Sequence, residues 1–279
     1  MSVAKVLVPI GFSNYSDLLL DYAADLCKRG NGELHIIHGL EIQNSLNDLC
    51  NSNQLQDFTV ILQDKLKAIQ DKVEKEHNLK VVSNVIEGPV YESVLNYLND
   101  QKIDWLVIGA NGSAAKKDFI GANTLRILRE AQCPSISLKG DCVKTSFKNI
   151  VVPLDLTNEV NELLRKVSSI AKSFPEVTLR FVSVTTSNDE FVINRMTRHM
   201  GYLKQTVVDD GFKASSEIIT GVKSKAEIPD TIVDYTRKVK GDLLMIMTQK
   251  EVDPVKYFIG SVAQQLINQD EYPVLTIVP

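Results

Sequence analysis

The sequence predicts an α/β fold built twice in tandem, each copy a five-stranded parallel sheet with helices on both faces. Three observations predict it. Short apolar runs alternate with amphipathic stretches along the whole chain, the pattern of βαβ units. The same motifs recur in the same order about 140 residues apart. The composition is globular: 279 residues, 44% hydrophobic and 24% charged, enough to bury a sizeable core.

Taken in order, residues 6–10 are an apolar run read as a buried strand. Asn14 is placed to cap a helix carrying Leu18, Tyr22, Ala23 and Leu26 on one face. Residues 33–40 form the second strand. A longer helix follows, with Leu55, Phe58, Leu62, Leu66, Ile69 and Val73 at three- and four-residue steps. Residues 81–86 are a third strand ended by Gly88, residues 90–98 a helix and 105–108 a fourth strand. A helix over 123–131 and a fifth strand over 135–138 complete the half. The second half repeats this, with strands near 149–154, 177–184, 215–220, 242–247 and 273–278.

The repeat is explicit. Lys5-Val-Leu-Val-Pro-Ile-Gly-Phe-Ser-Asn14 matches Asn149-Ile-Val-Val-Pro-Leu-Asp-Leu-Thr-Asn158. Asp104-Trp-Leu-Val-Ile108 matches Asp242-Leu-Leu-Met-Ile246, Phe119-Ile-Gly-Ala122 matches Phe258-Ile-Gly-Ser261, and Cys133-Pro134 matches Tyr272-Pro273. Gly88 and Gly221 each follow a strand-like run. A duplicated domain follows, with domains at 1–140 and 147–279 and a polar, aperiodic boundary over 139–146.

Ligands of such sheets sit beyond the carboxyl ends of the strands. That places a site at Pro9, Ile10 and Gly11, at His38-Gly39, and in the loop Gly109-Ala-Asn111-Gly112 running to Gly121-Ala122-Asn123. Glycines let a backbone approach an anion, and a helix N-terminus offers unpaired N–H groups. Lys116 and Lys117 add charge. The spacing is neither that of a Walker loop nor that of a dinucleotide fingerprint, and a plain Gly-rich connection is the other reading.

On these residues the chain resembles the universal stress protein family in its tandem two-domain form. The resemblance covers nearly the whole chain, once per half. The family pattern is a strand ending in Pro/Ala-x-Asp-x-Ser, then Gly-x2-Gly-x9-Gly-(Ser/Thr), then a Cys-Pro-Val type last strand. It implies an adenine-nucleotide α-hydrolase-like sheet of order 3-2-1-4-5, and ATP as the nucleotide. The first half keeps three glycines as Gly109, Gly112 and Gly121, with a spacer of eight residues. Ala122 replaces the Ser/Thr, with Asn123 and Thr124 following as donors. Gly11 stands where the family has an acid, and Gly39 where it has an adenine-side valine. The second half is the complement. Asp155 matches the acid, Val184 the adenine-side position, and Gly260-Ser261 the last Gly-Ser. Met247 and Lys250 replace the first two glycines there, so that site reads as degenerate. Each loop converges with its own sheet, so the halves are not expected to combine into one site.

The resemblance implies a stress-response protein that binds nucleotide through the Gly-rich loop of the first half. The alternative is a nucleotide-independent interaction or scaffold protein with vestigial pockets. An enzyme ranks third, since no nucleophile, metal cage or general base is evident. The Ser-Gly-Gly-x-Asp-Ser loop of related pyrophosphatases is absent from both first-strand ends. The resemblance also implies an intramolecular pseudo-dimer in which Val274-Leu-Thr-Ile-Val278 pairs with Ser135-Ile-Ser-Leu138, which covers two sheet edges.

Other signals are set aside. A net charge of -4 and only short basic clusters, such as Arg237-Lys-Val-Lys240, favour neither nucleic acid nor membrane. Four scattered cysteines without a CxxC pair, and no visible signal peptide, lead us to expect a cytoplasmic protein with free thiols. No Cys/His spacing fits zinc, and Cys133 before Pro134 reads as an inert core thiol. His35-Ile-Ile-His38-Gly39 resembles a nucleotidyl-transferase motif, but it lies inside a strand, where alternation sends the two histidines to opposite faces. His77 and His199 read as solvated. Phe191, Met196, Met200, Leu203 and Val207 read as one apolar stripe, for core or intersubunit packing.

Overall fold

The computed structural model describes residues 4–13, 15–41, 52–110, 120–140, 147–156, 161–250 and 257–278. The chain divides into two compact units, Met1–Leu138 and Lys139–Pro279. Asn14, Cys50, Cys142 and the segment 111–119 lie outside the described residues.

Unit 1 runs β1 (Lys5–Pro9), α1 (Ser16–Arg29), β2 (Glu33–Leu40), α2 (Ser52–His77), β3 (Lys80–Glu87), α3 (Val90–Asp100), β4 (Trp105–Gly109), α4 (Ala122–Glu130) and β5 (Ser135–Leu138). Its strands pair in parallel in the order β3-β2-β1-β4-β5. Unit 2 runs β6 (Asn149–Pro153), α5 (Asn161–Ala171), β7 (Thr178–Val184), α6 (Glu190–Asp209), β8 (Lys213–Ile219), α7 (Ile228–Lys238), β9 (Leu243–Met247), β10 (Gln249–Lys250), β11 (Tyr257–Phe258), α8 (Ser261–Asn268) and β12 (Val274–Ile277). Its parallel order, β8-β7-β6-β9-β12, repeats the predicted 3-2-1-4-5.

The central strands have no polar face. Val6, Leu7 and Val8, and equally Ile150, Val151 and Val152, are buried in succession, as a strand covered on both sides requires. The cover comes in matched pairs: α1 packs with α2 and α3 with α4, as α5 packs with α6 and α7 with α8. The buried face of α1 is wider than expected and takes in Leu19, Leu20, Tyr22, Ala23, Ala24, Leu26 and Cys27.

The repeated motifs turn out to be joints of this frame. Asp104 Oδ2 accepts the Lys5 amide at 2.8 Å, and Asp242 Oδ2 accepts the amides of Lys148 and Asn149 at 2.8 Å each. Each aspartate thus pins the start of the fourth strand to the first. The carbonyls of Pro134 and Pro273 accept the Leu106 and Leu244 amides at 3.0 Å, seating the last strand. Gly88 (φ 117°) and Gly221 (φ 82°) turn the chain out of the third strand through a region that side chains disfavour.

Two local expectations need correction. Phe191 does not belong to the buried stripe of α6. Met196, Met200, Leu203 and Val207 are buried there, while Phe191 is exposed. Phe58 of α2 is also exposed, with Val60 and Ile61. A 26-residue helix is about 39 Å long, and an eight-residue strand about 27 Å, so the first turns of α2 overhang the sheet.

Candidate functional site

In unit 1 the carboxyl ends of β1, β2 and β4 meet the N-terminus of α4. Beyond Pro9, Ile10 is buried and donates its amide to the Ile37 carbonyl at 2.9 Å. Gly11 is exposed, and Phe12 adopts φ 53°. That turn lays the Phe12 ring on His38, with centroids 4.3 Å apart. His38 Nδ1 lies 2.9 Å from the Ile10 carbonyl oxygen. A carbonyl only accepts, so Nδ1 carries the proton and Nε2 of the neutral ring is an acceptor. Phe12 and His38 therefore pack together beside Gly11, a contact invisible in the motif.

Gly39 has its side-chain space filled from outside. A Cβ there would lie 3.1 Å from Val90 Cγ2, at the start of α3. Val90 supplies the apolar wall that residue 39 lacks. Gly109 ends β4 under the Tyr15 ring, 3.4 Å from where a Cβ would sit. The excursion after Ala110 is closed at its foot, because the Gly121 amide donates to the Ala110 carbonyl at 2.9 Å. Asn111 and Gly112, with Lys116 and Lys117, lie in the part of that excursion outside the described residues.

Gly121 is the N-cap of α4 (φ -62°, ψ 140°), with no side-chain cap bond. Its carbonyl takes the Leu125 amide at 3.0 Å, so the amides of Ala122, Asn123 and Thr124 precede the first amide that donates within the helix. Ala122 and Asn123 are exposed. Thr124 is not a ligand donor as expected. It is buried and its hydroxyl donates to the Gly109 carbonyl at 3.1 Å.

Unit 2 sets the corresponding residues at its own sheet edge. Asp155 is exposed just past buried Leu154, and Val184 is half-buried at the end of β7. Gly260 caps α8 in the conformation of Gly121 (φ -60°, ψ 160°), and Ser261 is the exposed first helical residue. Half-buried Met247 ends β9 where unit 1 has Gly109. The loop beyond it differs in kind. Gln249 and Lys250 pair antiparallel with Phe258 and Tyr257, a two-residue ribbon that sequence alternation did not signal.

The remaining signals fall away from this edge. His35 is buried in mid-strand, with Nδ1 2.9 Å from the Tyr97 hydroxyl and Nε2 3.3 Å from Glu33. Burial holds its pKa below the usual histidine value. His77 is not simply solvated, since its ring sits 3.0 Å from Asp21 and 3.2 Å from Lys28. Burial pushes the Cys27 and Cys133 thiols up to about 12, which removes the thiolate needed for nucleophilic work. Among the described residues no cluster of His, Cys, Asp or Glu could hold a metal ion, and no helix is long and apolar enough to cross a membrane. Cavities of about 350 and 310 Å³ flank α6 and include none of the expected site residues.

Comparison with known proteins agrees with this architecture. The family model described as "Universal stress protein family" matches residues 3–137 and again 146–278. A universal stress protein of Methanocaldococcus jannaschii is 24% identical over 144 residues, covering 47% of this chain and 82% of that protein. The crystal structure of a universal stress protein from Archaeoglobus fulgidus superposes with a TM-score of 0.74 at 14% identity, covering 98% of this chain and 96% of that one. A protein of unknown function from Pseudomonas aeruginosa follows at 0.63 and 16% identity, covering 100% and 93%. With both halves matched by one family model and the whole fold shared, the chain belongs to the universal stress protein family.

Proposed function

We infer that this chain is a cytoplasmic stress-response protein of two domains, residues 1–140 and 147–279, that works by binding ATP or another nucleotide rather than by turnover. The phosphates go to the glycine loop of unit 1. There the backbone of Gly109, Asn111, Gly112 and Gly121 approaches them, and the first amides of α4, at Ala122 and Asn123, donate. Pro9, Ile10, Gly11 and Gly39 line the nucleoside end. The observation that carries this reading is the start of α4. Three amides precede the first one that donates within the helix, no side chain caps them, and the helix dipole adds partial positive charge at the sheet edge. In unit 2, Asp155, Val184, Gly260 and Ser261 form the weaker counterpart.

One observation favours a second reading, an interaction protein with vestigial pockets. Phe12 tilted against His38, and Val90 in the space beside Gly39, narrow the nucleoside end of unit 1. The two units are further proposed to pair through β5 and β12. Each is the last strand of its own sheet, and an open edge invites pairing.

The test is calorimetric titration of ATP, with and without magnesium, into the wild type and a Gly112→Val variant. Binding by the wild type that the variant loses supports the phosphate loop. Wild type that takes up no ATP at millimolar concentration sinks the nucleotide reading in favour of the second.

A further inference from the structure

Helix α6 is built as though its outer face were to be covered. Its start is firmly made. Asp189 caps it, accepting the Phe191 amide at 2.8 Å, and Ser187 Oγ accepts the Asp189 amide at 3.2 Å. Five residues past Phe191, the core stripe Met196, Met200, Leu203, Val207 begins, at steps of four, three and four. A second stripe with the same rhythm runs along the opposite side: Phe191, Arg195, Arg198, Tyr202, Gln205, Asp209. At 100° per residue these six fall within a band of about 80° centred roughly 150° from the core stripe.

This outer stripe has the composition of an interface. Among the described residues of unit 2, the large apolar side chains left exposed are Phe191 (70%) and Tyr202 (66%) in this stripe and Val208 (39%) beside it, all on α6. Arg195 and Arg198 are exposed and have no hydrogen-bond or ion-pair partner among the described residues. Aromatic residues and arginine are the types that dominate protein contacts. The ridge also stands between two hollows. One of about 350 Å³ is lined by Leu164, Arg165, Tyr202, Thr206 and Asp210, and one of about 310 Å³ includes Ile193, Thr197 and Gly201. A Cβ at Gly201 would meet nothing within 4 Å, so its own unit does not require glycine at this exposed mid-helix place. An exposed helical glycine costs about 1 kcal/mol relative to alanine. It does leave room for a neighbouring helix.

The order of the stripe selects the occupant. We propose that the outer face of α6 pairs with the same face of a second copy of this chain, antiparallel, about a two-fold axis near Met200. Residue numbers facing each other across such an axis sum to about 400. Arg198 then faces Tyr202 of the other copy, a cation over an aromatic ring. Arg195 faces Gln205 and reaches Asp209 one turn along, a carboxylate that Gln205 Nε2 already holds at 2.8 Å. Phe191 closes each end. Every contact occurs twice, as a closed isologous interface demands. In parallel register the two arginine pairs would face each other and repel. An acidic partner protein would match the arginines but leave Asp209 opposed by like charge.

Sedimentation of the full chain from micromolar to several hundred micromolar tests this, with Arg195→Asp, Asp209→Arg and the double charge swap. The expected result is a reversible wild-type dimer. Each single variant raises the dissociation constant about tenfold or more, because each substitution acts twice, and the swap restores most of the loss. Both residues are on the surface, and circular dichroism reports whether each variant stays folded. A wild type that is monomeric throughout overturns the proposal, as does a dimer indifferent to both single variants, or a swap no better than its parents. A monomer that binds polyglutamate or duplex DNA through Arg195 and Arg198 also overturns it, and replaces the second copy by an anionic partner.

Discussion

Gly39→Val restores the side chain that the family resemblance leads one to expect beside the nucleoside end, and the structure makes it costly. The new Cβ falls 3.1 Å from Val90 Cγ2, closer than ordinary contact, and the two γ-methyls reach further still. Replacing a strand glycine returns roughly 0.5–1 kcal/mol. Overpacking a filled space costs roughly 1–3 kcal/mol. The net is a loss of about 1–2 kcal/mol. Unit 1 spans residues Met1–Leu138, and at ~2.1 cal/mol/K per residue its unfolding entropy is about 0.3 kcal/mol/K. The expected fall in Tm is therefore about 3–7 °C. Val90→Ala alone costs about 1 kcal/mol for its half-buried methyls. Combined with Gly39→Val it clears the space, so the double variant should be more stable than the sum of the two losses by about 1 kcal/mol. Urea unfolding of the four proteins measures that coupling. If the losses add within ~0.5 kcal/mol, the usual limit for independent sites, Val90 does not occupy the space of residue 39 and the reasoning is wrong.

Four further outcomes follow from other places in the fold. Burial depresses the His35 pKa below its ordinary value in the folded chain, so the unfolded chain binds the proton more readily. That contribution to stability is present above the unfolded histidine pKa and is lost as pH falls through the folded one, by at most ~1.4 kcal/mol per pH unit. Tm measured from pH 8 to 5 should therefore fall less steeply in His35→Gln than in wild type. Gly241→Ala drives a Cβ to 2.6 Å from Thr236 Cγ2 and 2.9 Å from Val151 Cγ2, both in the core, and should lose about 1–3 kcal/mol in urea unfolding. Gly201→Ala, with nothing nearby, should gain up to about 1 kcal/mol. Lys139 is buried and donates to both the backbone carbonyl and Oδ1 of Asn268, the last residue of α8, where a cation also suits the helix dipole. Lys139→Met should lose about 1–3 kcal/mol by thermal unfolding, and an unchanged Tm would show that the bond contributes nothing.

What could be read from the sequence was whatever depends on local order. Strand ends came within two residues, because an apolar run stops where the chain leaves the sheet. The paired motifs marked Asp104 and Asp242, whose carboxylates hold equivalent amides, and Gly88 and Gly221, whose φ values are positive. What failed depended on geometry between elements. Five residues separate Phe191 from Met196, a turn of about 500°, which puts them 140° apart and on different faces. Phe58 kept the helical rhythm but sits where α2 has outrun its strand. Phe12 on His38, and Val90 beside Gly39, join residues 26 and 51 positions apart, and no spacing rule reaches that far. The ribbon of β10 and β11 is two residues wide, below the length at which alternation can be seen.

The glycines at the starts of α4 and α8 raise a different question, since neither backbone nor packing explains Gly260. Its φ of -60° is open to any residue, and a Cβ there would meet nothing within 4 Å. Gly121 holds almost the same angles. The loops before the two helices share only their closing Phe-Ile-Gly, one being otherwise glycine-rich and the other holding a ribbon, and both arrive at a glycine cap with no side-chain bond at the carboxyl edge of a parallel sheet. A serine or aspartate would stabilise either helix by a few tenths of a kcal/mol. Forgoing that makes sense where the cap must stay bare so that something outside the unit can approach the first amides. Gly260→Ala should then lose no more than the glycine's own N-cap preference, about 1 kcal/mol or less in urea unfolding, since a side chain there displaces no part of the protein. A loss above about 1 kcal/mol would return this glycine to the fold and remove it from the site.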